Sequence, residues 1–111
     1  MQLPVFKVDA REPDGGSLVL ALSGELDLAG APELSTALTD AMEAGRDLVV
    51  DLRGLEFIDS SGLGVLVRFN NAASAAGYRY SLIAGPPQVH RAFVLSGLDQ
   101  ALPFAAGSVH S

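Results

Sequence analysis

The sequence predicts an α/β fold, with a mixed, mostly parallel sheet of four to five strands, an N-terminal β-hairpin and three or more helices. Three observations lead there. Leu18, Leu20 and Leu22 alternate with Val19, Ala21 and Ser23, the period of a half-buried strand. Beyond them, helix-like and strand-like segments alternate, which calls for parallel strands joined by right-handed crossovers. Glycine or proline closes almost every segment. With 111 residues the chain has room for one domain (1–111), with its core at about 4–104.

In order, residues 5–11 read as a first strand, and Pro13-Asp14-Gly15-Gly16 supplies a turn into a second at 18–24. Pro32 and Glu33 mark a helix start and Gly45 its stop, with Leu34, Ala37, Leu38, Ala41 and Met42 on one apolar face. A buried strand follows at 48–52. After an Asp-Ser-Ser-Gly turn, a second helix runs to Ala76 and stops at Gly77, with Leu63, Leu66, Val67 and Ala73 facing the sheet. A strand at 78–84 is broken by Gly85-Pro86-Pro87. A helix at 87–96 presents Val89, Phe93 and Val94, residues 98–104 add a short strand, and the last residues fray.

Composition narrows the function. Half the residues are hydrophobic (49%) and 18% are charged, which suits a packed globule. Net charge is −6, Lys7 is the only lysine, and Arg46, Arg53, Arg68, Arg79 and Arg91 are scattered. No basic stripe exists to neutralise nucleic-acid phosphates, and the acidic balance suits a partner with a basic surface. The absence of cysteine removes disulfides, thiol catalysis and cysteine metal sites. No signal peptide is visible and no apolar run approaches the ~20 residues of a membrane span, so a cytoplasmic location is expected.

The most informative segment is Phe57-Ile58-Asp59-Ser60-Ser61-Gly62-Leu63-Gly64. It sets an acid and two hydroxyls at a predicted helix N-terminus, where unpaired N–H groups and the helix dipole favour an anion. From local pattern alone, Asp59 or a serine there reads first as an ordinary helix cap, and Gly62 as a residue that permits a tight turn. A serine nucleophile is the next possibility, but a nucleophile elbow needs Gly-x-Ser-x-Gly and position 59 is Asp. His90 and His110, the two histidines, come with no third member of a triad. Gly62-Leu63-Gly64 is too short for a dinucleotide fingerprint and no Gly-Lys-Ser/Thr follows. Phosphate on a serine here would alter the surface while the fold tolerates it.

A second segment, Ser23-Gly24-Glu25-Leu26-Asp27, ends the second strand. Parallel sheets gather function at the carboxyl ends of their strands, so Asp27 and Ser61 are expected on one face. Glu25 and Asp27 also read as plain solvated turn acids, and no metal is expected on them.

At these residues the chain resembles the STAS domain of bacterial anti-sigma factor antagonists. Ser23-Gly24-Glu25-Leu26-Asp27 is similar to the family's first signature, Leu52 through Gly64 to its phosphorylation segment, and Phe93-Val94-Leu95-Ser96-Gly97-Leu98 to its third. The resemblance implies a regulator and not an enzyme. The unphosphorylated antagonist would bind an anti-sigma factor with serine kinase activity and release the sigma factor. The kinase, bringing its own ATP, would phosphorylate the antagonist and end the complex; a PP2C-type phosphatase would reverse this. Such switches serve stress response and sporulation. The family's acceptor serine falls on Ser61, with Ser60 the alternative, and its Gly-Glu-Leu-Asp aspartate falls on Asp27. Glu25, Asp27, Asp59, Ser60, Gly62 and Leu63 are the expected partner contacts. No cofactor, metal, nucleic acid or membrane is expected, and the chain should be a monomer or weak dimer. A STAS subunit of another signalling or transport assembly is the alternative, and a small serine hydrolase a lesser one.

Overall fold

The computed structural model describes residues 5–13 and 16–105. Asp14 and Gly15 of the expected turn, and the tail with His110, lie outside the described residues. The predicted hairpin is present: β1 (Lys7–Arg11) pairs antiparallel with β2 (Leu18–Leu26), Lys7 opposite Ser23 and Arg11 opposite Val19. β3 (Leu48–Ile58) then lies parallel to β2, and β4 (Tyr80–Ile83) parallel to β3, giving the order β1-β2-β3-β4. In β2 the expected alternation holds. Leu20, Leu22 and Leu26 are buried, while Val19, Ala21, Ser23 and Glu25 on the other face are half-buried.

β3 extends six residues beyond the expected 48–52 and reaches Ile58. The alternation that marks a strand breaks at Leu52, because the next buried residues, Leu55 and Ile58, come at intervals of three. Two register shifts against β2, between Ala21 and Ser23 and between Gly24 and Glu25, absorb the extra residues. Each bulge turns β3 so that Leu55 and Ile58 still face the core. Gly54 permits the first, since a Cβ there would lie 2.7 Å from the Leu22 carbonyl oxygen.

Among the described residues, four helices connect and flank the strands. α1 (Ala31–Glu43) buries Leu34, Leu38 and Ala41, with Ala37 and Met42 half-buried. α2 (Ser60–Ala76) ends at Gly77, whose left-handed φ of 67° lets its N–H reach back to the Ala73 and Ser74 carbonyls. It buries Val65, Leu66, Phe69 and Ala73, while the expected Leu63 and Val67 are only half-buried. The helix is wedged against α1 as well as the sheet, so its apolar arc is wider than one stripe and includes Phe69, which meets Tyr78 and Tyr80 edge-on.

The C-terminal part differs more. α3 (Pro87–Leu95) buries Val89 and Phe93 as expected, but Val94 is 51% exposed. Val94 sits about 100° around the helix from Phe93, and α3 packs on one side only. Residues 98–104 do not form a strand: α4 (Leu98–Ala101) is a single helical turn. Only Phe104 bridges to β4, where the Leu82 N–H donates to the Pro103 carbonyl and the Ala105 N–H to the Leu82 carbonyl. Gly97, at φ 77°, starts the turn, and Pro103 has no N–H with which to continue a ladder.

The core is one cluster that joins Leu20, Leu22, Leu26, Val50, Leu52 and Leu82 of the sheet to Leu34, Leu66, Val89 and Phe93 of the helices. Burying each such side chain contributes roughly 1.5–3 kcal/mol. Among the described residues, one charged side chain of the sheet is buried. Asp51 is 9% exposed, and both of its carboxylate oxygens accept from the Arg53 guanidinium, at 3.0 and 2.9 Å. This pairing holds the Asp51 carboxyl below its ordinary 3.8, against the opposing effect of burial.

Two predictions follow from this packing. Gly24 has φ +85°, and an added Cβ would fall 2.2 Å from the Val5 carbonyl oxygen; Gly77 has φ +67° with open space around it. Gly24→Ala should therefore cost about 2 kcal/mol or more in urea unfolding, and Gly77→Ala about 1 kcal/mol. Equal costs would contradict the close approach of residue 5 to β2. For Asp51 the folded pKa is depressed. Its contribution to stability is thus present above the unfolded value near 3.8 and is lost as pH falls through the folded value. In urea unfolding, Arg53→Ala should lie furthest below the parent at about pH 6, and the gap should shrink as pH falls below 3.8. A gap that does not change with pH would contradict the pairing.

Candidate functional site

The site begins where β2 and β3 end together. Leu26 is the parallel partner of Ile58, and the next N–H, that of Asp59, donates to the Leu26 carbonyl at 3.1 Å. The chain leaving β2 at Asp27 and the chain leaving β3 at Asp59 therefore emerge side by side, at the carboxyl ends of adjacent parallel strands.

Asp59 is the N-cap of α2. Its backbone is extended (φ −112°, ψ −175°), and its Oδ1 accepts from the Ser61 N–H at 2.9 Å and the Gly62 N–H at 3.2 Å. Its carbonyl accepts from the Leu63 N–H at 3.1 Å. The carboxylate thereby takes two of the free donors of the helix start and sits at the positive end of its dipole. Ser60 and Ser61 occupy the first two helical positions; Ser60 is exposed and Ser61 half-buried. Gly62 is buried because the helix start lies directly on the strand ends: a Cβ there would meet Leu26 at 2.7 Å and Ile58 at 3.0 Å. Leu63, one residue on, is half-buried.

Asp27 organises the other turn. Its Oδ1 accepts from the Ala29 N–H at 3.1 Å and the Gly30 N–H at 3.4 Å, and its carbonyl accepts from Gly30 and Ala31. The carboxylate thus shapes the entry to α1 while remaining half-buried. Glu25, Asp27 and Glu33 line one shallow depression of about 300 Å³. The structure therefore gathers Glu25, Asp27, Asp59, Ser60, Ser61, Gly62 and Leu63 at one end of the sheet.

Two apolar residues at this end were not among the expected contacts, although Phe57 opens the segment singled out in the sequence. Leu28, beside Asp27, is 74% exposed, and Phe57, in register with Glu25, is 46% exposed. Their signal was an apolar residue next to each polar motif, hidden at Phe57 by the bulges in β3. His90 offers no base to either serine. Both ring nitrogens are buried without a hydrogen-bond partner, between Phe93 and Phe104. Among the described residues, no group of His, Asp and Glu is placed to hold a metal ion, and no helix is long and apolar enough to cross a membrane.

The family profile described as "Mlab, STAS domain" matches residues 10–104. The anti-sigma F factor antagonist of Paenibacillus polymyxa is 31% identical over 98 residues, covering 86% of this chain and 84% of that protein. The anti-sigma-B factor antagonist of Bacillus subtilis is 29% identical over 103 residues, covering 93% and 94%. Among solved structures, an anti-sigma factor antagonist from Mycobacterium paratuberculosis superposes with a TM-score of 0.80 at 28% identity, over 92% of this chain and 86% of that one. These relatives are regulatory proteins, not enzymes. In its signature segments, its sheet order and its match across residues 10–104, this chain belongs to the STAS-domain family.

Proposed function

We propose that this chain is an anti-sigma factor antagonist, whose unphosphorylated form binds a kinase-type anti-sigma factor and frees the sigma factor held by it. The observation that carries this reading is the pairing of two turns at one sheet end: Ser61 on the first turn of α2, and Asp27 in the turn that leaves the neighbouring strand β2. Relatives named as antagonists, matched over most of their length, support the same role.

The local geometry suits a switch that acts on binding. In the transfer step, Ser61 Oγ bonds to the γ-phosphorus of ATP carried by the partner, the bond to ADP breaks, and the hydroxyl proton passes to a base of the partner. The product carries about −1.5 to −2 charges. Asp59 already occupies the Ser61 and Gly62 N–H groups. The phosphate finds those donors taken, lies beside the Asp59 carboxylate, and presents its charge to the docking surface. A PP2C-type phosphatase would remove it by hydrolysis. Among the described residues a serine hydrolase has no support, because neither nitrogen of His90 reaches a serine. The Mlab description of the matching profile favours one second reading, a STAS subunit that docks on another assembly through the same surface without being phosphorylated.

Incubation with a kinase-type anti-sigma factor and ATP, followed by mass spectrometry, tests the switch. One phosphate is expected, on Ser61; Ser60→Ala should still accept it and Ser61→Ala should not. Phosphate on Ser60 would shift the assignment by one residue. Binding without phosphorylation, by a kinase active on another antagonist, would favour the second reading. Asp27 is best tested as Asp27→Asn, which keeps an oxygen for the Ala29 and Gly30 N–H groups while removing the charge. Its melting temperature should match the parent, and its affinity for the anti-sigma factor should fall roughly 10-fold or more. Asp27→Ala should in addition lose about 1 kcal/mol of stability with the turn. Unchanged affinity in Asp27→Asn would remove Asp27 from the interface.

A further inference from the structure

β1 ends the sheet. β2 pairs with its inner edge and, among the described residues, no strand pairs with its outer edge, so backbone N–H and C=O groups there are free to take a new strand. Next to that edge an open groove of about 570 Å³ runs between α1 and the β1–β2 pair. Val8 and Ala10 of β1 and Ala37 and Ala41 of α1 contribute apolar surface to it, and Glu33 and Asp40 of α1 add two carboxylates. Neither acid forms an ion pair among the described residues.

From this arrangement we infer a second docking site, which shares only Glu33 with the depression at Asp27: an extended segment of a partner protein adds to β1 as a further strand and fills the groove. The charges specify the segment. Glu33 and Asp40 lie seven residues apart on one helix face, about 10 Å along its axis. Groove-facing positions four residues apart on a strand are about 13 Å apart, a mismatch that long basic side chains bridge. The fitting segment therefore has Lys or Arg at groove-facing positions i and i+4 and a β-branched apolar residue at i+2. Main-chain bonds to β1 hold it, and the groove reads alternate side chains. A second copy of this chain fits less well. Pairing two β1 edges would bring Glu33 and Asp40 of both copies toward one groove, on a chain of net charge −6.

The test is a titration of the isotope-labelled full chain with the capped peptide Ser-Lys-Thr-Val-Thr-Lys-Ser, followed by amide chemical shifts. Saturable shifts are expected in residues 7–11 and 33–44. The same peptide with Glu in place of both Lys should give none. Glu33→Lys combined with Asp40→Lys, at two exposed positions of α1, should weaken binding of the lysine peptide by about 10-fold or more. Ser61→Ala should leave it unchanged. Absence of saturable shifts, equal binding of the glutamate peptide, or shifts centred on residues 59–63 would overturn the proposal. Should the double variant fail to fold, the exchange of peptide charge on the unaltered chain still decides it.

Discussion

The parallel pairing of β2 with β3 out to Leu26 and Ile58, closed by the Asp59 N–H on the Leu26 carbonyl, is the constraint on which the rest of the structure depends. It requires β3 to run eleven residues, which an uninterrupted strand of this composition would not do with its apolar side chains still facing inward. The two bulges resolve that conflict, at the cost of strict alternation. Because the strands end together, α2 starts directly on top of them, and only glycine fits at position 62 against Leu26 and Ile58. The same coincidence sets the Asp27 turn next to the Ser60-Ser61 turn. Packing, turn chemistry and the proposed site thus share a single cause.

Electrostatics at that point are arranged in two layers. The Asp59 carboxylate satisfies the helix start, so the fold needs no outside anion there. The remaining acids, Glu25, Asp27 and Glu33, line a depression at the same end of the sheet, where Leu28, next to Asp27, and Phe57, in register with Glu25, are exposed. An apolar pair among carboxylates suits a partner whose surface offers apolar contact within a basic rim. Under the proposed switch, a further dianion on Ser61 would change that surface without supplying anything the core lacks.

Much of this was legible in the sequence, for identifiable reasons. Alternation in β2, the proline at the start of α1 and the glycines after α1 and α2 act locally, and each produced the element that was read from it. The Ser23–Asp27 and Asp59–Gly62 segments were readable because turns and caps depend on particular side chains at particular positions. What was not legible depends on distant neighbours. Residues 53–58 count as strand only because β2 lies alongside with matching bulges. Val65 and Phe69 are buried because α1 covers α2 from another side, and Val94 is exposed because, among the described residues, nothing covers its side of α3. The single turn at Leu98–Ala101 follows from a left-handed glycine before it and a proline after it, in a stretch whose apolar content alone suggested a strand.

The central claim is that Ser61 stands on a helix start already completed by Asp59, so that phosphorylation alters the docking surface and leaves the fold as it is. The most direct measurement is the amide spectrum of the full chain before and after stoichiometric phosphorylation, read together with hydrogen exchange of the α2 amides. The account predicts shift changes confined to residues near 26–30 and 57–64, with unchanged exchange protection through α2 and the buried positions of β2 and β3. Changes spread through the Leu22, Val50 and Leu66 core, or loss of protection along α2, would contradict it.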